Sequence, residues 1–146
     1  MQAETLARIR HLASRRGLYA PNSNRDTHFT YQHPQCGDEI TLYIDRNNYL
    51  SFDAKACSVT LASAVMLLDD WQGQGEWSAE HEYFKQYINS QQWRDWLYAE
   101  SLQPLPKTWQ ALFAPLLRNS QRRFCLLLPW LAFTGILAGE VSDSPD

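Results

Sequence analysis

Apolar residues first recur at helical spacing in residues 3–16, where Leu6, Ile9, Leu12 and Ala13 share one side and Arg8, Arg10, Arg15 and Arg16 lie between them. This predicts a short amphipathic helix with a basic outer face, stopped at Gly17. Residues 18–26 are turn-rich and read as a loop. The period then changes from that of a helix to two. Phe29 and Tyr31 alternate with Thr30 and Gln32, which predicts an edge strand that ends by Pro34. Ile40, Leu42 and Ile44 alternate with Glu39, Thr41, Tyr43 and Asp45, and Leu50, Phe52 and Ala54 repeat the alternation beyond Asn47 and Asn48. These two runs form a hairpin.

The hairpin register follows from which residues must share a face. A two-residue turn at Asn47-Asn48 would set Ile44 opposite Ser51 and Leu42 opposite Asp53, mixing apolar and polar sides. A connection of three or five residues instead pairs Ile44 with Leu50 and Leu42 with Phe52, and calls for an Asn in the left-handed conformation. One face of the sheet is then apolar and has to be covered by helices.

Residues 58–68 are apolar almost all round, the mark of a buried helix, and Ala62, Ser63 and Ala64 are small enough for a neighbour to approach closely. Asp69, Asp70 and the pair Gly73/Gly75 end it. Residues 76–118 are rich in Trp and Tyr and predict two or three short helices, broken at Asn89-Ser90 and at the Pro104–Pro106 turn, with the aromatics as packing residues. A last helix is expected over 124–138. Pro129 has no N–H for the carbonyl of Cys125, four residues back, so that helix either kinks or begins near Cys125. The acidic tail, 140–146, is expected to fray.

Composition narrows the class. The chain has 146 residues, enough for a core and right for one domain spanning 1–146. A net charge of −3 leaves no basic surplus to neutralise phosphates, so a nucleic-acid partner is not expected. The longest apolar run, 125–138, is too short to span a bilayer, and no secretory signal is visible at the start. Three cysteines, an odd number, do not close a disulfide framework, so a reduced, cytoplasmic thiol protein is the expectation.

The three thiols differ in how readily packing explains them. Cys125 lies among leucines and alone reads as a small buried hydrophobe. Cys57 stands at a strand-to-helix junction, where unpaired N–H groups, the helix dipole and nearby Lys55 favour a thiolate. Cys36, beside Gly37 and Asp38 in a loop, is hardest to dismiss. No Cys-x-x-Cys pair is present, and spacing alone does not make a metal site of these residues.

A resemblance joins them. Pro34-Gln35-Cys36-Gly37-Asp38, then a hairpin, then Cys57-Ser58 with Ala62-Ser63-Ala64, then Arg122-Arg123-Phe124-Cys125 ahead of Trp130, resembles the NifU-like iron–sulfur cluster scaffold family, which includes the IscU and SufU proteins. It covers roughly residues 27–72 and 118–138. IscU proteins have a shorter interval between the second and third cysteines and a His directly before the third. Here 68 positions separate Cys57 from Cys125 and Phe124 takes the His position, which is similar to the SufU-type branch. That resemblance implies a zinc ion held by Cys36, Asp38, Cys57 and Cys125, or a transient 2Fe-2S or 4Fe-4S cluster on Cys36, Cys57 and Cys125. It implies a cysteine desulfurase of the SufS/IscS type that passes persulfide sulfur to Cys36, and acceptor apo-proteins downstream. Three thiolates and a carboxylate form a tetrahedral set suited to either occupant. The hard carboxylate of Asp38 is the natural arm to release. The family usually has Asn at the position of His33 and Gly at those of Ala54 and Ala56. A positive φ at Ala56 would strain the backbone, and His33, with His28 nearby, is either a hydrogen-bonded loop residue or an alternative nitrogen ligand.

The expected fold is therefore α+β, a small three-stranded antiparallel sheet covered on one face by helices. The expected function is iron–sulfur cluster assembly, as scaffold or as zinc-dependent sulfur acceptor; enzymatic activity, if any, is that of a sulfurtransferase partner. Two rivals belong to other classes: a metal-free adaptor of the same fold that binds through its Trp-rich segment, and a zinc hydrolase, for which no Glu or His stands out as a general base.

Overall fold

The computed structural model describes residues 2–21, 27–34, 37–73 and 75–139. The first helix, α1 (Gln2–Ser14), continues past its predicted end as a 3-10 turn over Arg15–Tyr19, so Gly17 does not stop the chain and Leu18 and Tyr19 are not in a loop. A side-chain tie accounts for this. Tyr19 Oη donates to Asp69 Oδ1 at 2.5 Å, and Arg15 meets the same carboxylate with both terminal nitrogens, at 2.8 and 3.2 Å. The remainder of the predicted 18–26 loop from residue 22 on, like the acidic tail 140–146, lies outside the described residues.

The sheet is antiparallel in the order β1-β2-β3, with β1 (Thr27–Gln32), β2 (Glu39–Ile44) and β3 (Leu50–Lys55). Ile44 pairs with Leu50 and Leu42 with Phe52, the register that keeps the apolar residues on one face. Ile40, Leu42, Leu50, Phe52 and Ala54 are buried. The connection is the five-residue one, with Asn48 left-handed at φ 62. Asp45 staples it: its Oδ1 accepts from the N–H groups of Asn47 (2.8 Å) and Tyr49 (3.0 Å).

Two apolar helices cover the sheet. The C-terminal helix, α6 (Ser120–Leu137), packs across β1 and β2, and α2 (Ser58–Trp71) packs against α6, with α1 against α2 in turn. Gly135 on α6 admits the Phe29 ring of β1: a Cβ there would come within 2.6 Å of it. α6 begins at Ser120 rather than at 124, because Asn119 caps it, its Oδ1 accepting from Arg122 N at 2.8 Å. The helix runs on through Pro129.

Between α2 and α6 the described residues form three short α-helices, α3 (Ala79–Asn89), α4 (Trp93–Trp96) and α5 (Lys107–Phe113), and a 3-10 turn over Ala114–Leu116, with the breaks at 89–90 and 104–106 where expected. Their indoles face inward: Trp93, Trp96 and Trp109 are buried, together with Trp130 of α6. Asp70 fastens α3 and α5 to α2, accepting from His81 Nε2 at 2.7 Å and Trp109 Nε1 at 3.0 Å, while His81 completes a capping box with Ser78. Among the described residues no helix is long and apolar enough to cross a membrane.

The left-handed turn is testable by equilibrium unfolding in urea. Asn48→Val should cost about 1–2 kcal/mol, because a β-branched residue is forced to positive φ. Asn48→Gly should stay within about 0.5 kcal/mol of the parent.

Candidate metal centre

Three elements meet at the N-terminus of α2. The loop between β1 and β2 is tied at its ends by His33 N–H to the Asp38 carbonyl (2.7 Å) and Gly37 N–H to the His33 carbonyl (3.2 Å). Gly37, at φ 81, makes the turn that no β-substituted residue would adopt cheaply. Asp38 then directs its carboxylate to the start of α2, where Oδ2 accepts from Cys57 N–H at 3.0 Å. Cys57 is the N-cap residue of that helix, extended at φ −71 and ψ 168, and only Ala56 separates it from β3. Cys125 lies in the second turn of α6 and is buried.

Asp38, Cys57 and Cys125 converge, each offering a ligand atom within 4.8 Å of the other two. Thiolates about 2.3 Å from a tetrahedral zinc stand about 3.8 Å apart, so closure by about 1 Å or less would bring this set to bonding geometry. Two sulfurs and a carboxylate oxygen are a donor set that zinc or an iron–sulfur centre accepts. Cys57 and Cys125 are not joined in a disulfide. Cys36, the fourth residue the resemblance implies, lies outside the described residues. His33 is not in the converging group; its buried ring packs on Phe124, with centroids 4.2 Å apart. His33 stands where the resembling family usually carries Asn, and Phe124 where its IscU members carry His; here the two rings pack on each other next to Cys125. Ala54 and Ala56 are not among the residues at positive φ, so alanine strains neither position.

The Cys57 thiol is lowered from its ordinary 9.0 to about 6, first by its hydrogen bond with Cys125 and further by the backbone N–H of Thr60, against burial and the Asp38 charge. A thiolate beside a carboxylate and a second thiol, half out of solvent, concentrates negative charge that a cation would balance.

Thr60 escapes a reading of the sequence that looks only for metal-binding residue types. Its Oγ1 donates to the Cys125 carbonyl at 2.9 Å and lies 3.6 Å from Cys57 Sγ. Two signals were available: the Cys-x-x-Thr step that puts both side chains on one helix face, and Pro129 four residues after Cys125.

No protein-family model and no curated protein matches the sequence. By fold, the chain is similar to a crystal structure from thermophilic Fervidobacterium islandicum AW-1, of a protein assigned as an iron–sulfur cluster assembly scaffold for the SUF system. The TM-score is 0.56 at 17% identity, over 88% of this chain and 92% of that one. At that identity the likeness concerns architecture: the α+β fold, a three-stranded antiparallel sheet under helices, is the SufU fold.

Thiolate absorbance of the metal-free protein should titrate with a midpoint near pH 6, with the thiolate present above it, and the step should vanish in Cys57→Ser. Cys125→Ser should move the midpoint up, since the Cys125 hydrogen bond is the main lowering cause; Asp38→Asn should move it down, since the carboxylate charge raises it.

Proposed function

We propose that this chain handles sulfur in iron–sulfur cluster assembly, as a metal-dependent acceptor of persulfide sulfur from a cysteine desulfurase. The observation that carries the reading is the convergence of Asp38, Cys57 and Cys125 at the N-terminus of α2, within a SufU-like fold. All of residues 1–146 act as one domain in this reading. The reduced thiols suit a reducing compartment such as the cytoplasm.

Asp38, Cys57 and Cys125, with Cys36 as fourth ligand, would hold the metal. Zinc, when bound, keeps the thiols deprotonated and shields them from oxidation. Asp38 is the releasable arm, because its oxygen is the weakest partner for a soft site and has an alternative partner in the Cys57 N–H. Cys36 is the working thiol: its thiolate attacks the outer sulfur of the desulfurase persulfide, the new S–S bond forms at Cys36, and the desulfurase thiolate leaves. Acceptor apo-proteins then take the sulfur, or a cluster assembled on Cys36, Cys57 and Cys125. The burial of Trp93, Trp96 and Trp109 disfavours an adaptor that would dock through those indoles.

Protein purified without chelator is expected to carry about one equivalent of zinc or iron per chain, lost in Cys57→Ala and in Cys36→Ala. It should accelerate a cysteine desulfurase, and Cys36→Ala should abolish the acceleration. Metal-free protein whose three thiols all alkylate readily would overturn the reading. Cluster binding after reconstitution, with no effect on the desulfurase, would turn it from acceptor to passive scaffold.

A further inference from the structure

We propose that Thr60 is the positioning residue of the sulfur site, its buried hydroxyl setting the relation between Cys57 on α2 and Cys125 on α6. The inference rests on the metal-site reading and adds to it a residue that is not itself a ligand.

The argument starts from Pro129. A helix carbonyl ordinarily accepts from the N–H four residues on, and for Cys125 that residue is a proline with no N–H to give. The carbonyl is deep in the interior, where an acceptor without a partner is costly. Thr60, wholly buried, supplies the donor at 2.9 Å. A hydroxyl has one proton, and with that proton on the carbonyl the Thr60 oxygen lies 3.6 Å from Cys57 Sγ. Threonine has two χ1 rotamers open to it in a helix, and the bond to the Cys125 carbonyl selects the one seen here, so its oxygen is a fixed point. One rigid side chain therefore touches the backbone of one ligand residue and the sulfur of the other.

Ser63 provides the contrast within the same pair of helices. One turn further along α2, it is also wholly buried and its Oγ donates to the Leu126 carbonyl at 2.7 Å. It makes the same kind of α2–α6 tie, one residue beyond Cys125. Loss of either tie costs stability; only loss of the Thr60 tie should disturb the sulfurs.

The test is metal affinity by chelator competition for Zn²⁺, with the absorption spectrum of the Co²⁺ form, on the full chain. Thr60→Val, which keeps shape and removes the hydroxyl, should lose about 10–100-fold in affinity and alter the thiolate-to-cobalt charge-transfer band. Thr60→Ser should restore both. Ser63→Ala should lower the thermal midpoint comparably while leaving affinity and spectrum at the parent values. Thr60→Ala carries the same comparison should Thr60→Val not fold. Parent-like affinity and spectrum in the Thr60 variants, or equal losses in Ser63→Ala, would overturn this inference alone. A parent protein that binds neither Zn²⁺ nor Co²⁺ would overturn it together with the proposed function.

Discussion

The contact between α2 and α6 is the constraint on which the rest of the structure depends. Both helices are too apolar to face water on any broad side, so each needs a neighbour on several sides at once. Small residues at 62–64 let the axes approach, and the hydroxyls of Thr60 and Ser63 reach the carbonyls of Cys125 and Leu126 across the seam. The sheet closes one side of the pair, with Phe29 seated against Gly135, while α1 and α3 close others. The seam is also where the second and third sulfurs meet, so what holds the fold together is what assembles the site.

The hairpin delivers Cys57 to that seam. Its register keeps Leu42 opposite Phe52 and Ile44 opposite Leu50, so β3 leads directly to the N-cap position of α2. A slip of one residue would turn the apolar face outward and carry Cys57 to the wrong side. The loop before β2 is held by two backbone bonds between His33, Gly37 and Asp38, and Asp38 in turn binds the Cys57 N–H. The carboxylate is thus fixed by the helix it serves, and the positive end of that helix offsets part of the charge that Asp38 and the Cys57 thiolate bring together.

The departures from the resembling sequences, His33, Ala54 and Ala56, are accommodated by this fold. The His33 ring packs on Phe124, the residue before Cys125. Ala54 lies within β3 and Ala56 just beyond it, and neither is at the positive φ that would strain a side chain. The Trp-rich segment contributes Trp93, Trp96 and Trp109 to the core and leaves Tyr83 and Tyr98 exposed.

From sequence alone, alternation with period two determined the sheet and the five-or-three choice at the turn, because pleating puts neighbours on opposite faces and only odd connections keep the faces pure. The breaks at 89–90 and 104–106 likewise marked the short helices. Local signals also singled out Cys57 and Asp38, through a helix start and a glycine turn. Cys125 among leucines carried no local signal, and its place beside Cys57 depends on how α6 lies against α2. The tertiary structure also decided that the chain continues past Gly17, through the Asp69 tie to Arg15 and Tyr19; the start of α6 at Ser120 is instead set by the local cap of Asn119. That Pro129 has no N–H for the Cys125 carbonyl could be read from the chain; the hydroxyl that donates to it, Thr60, is 65 residues away in sequence and becomes visible only when the two helices are packed.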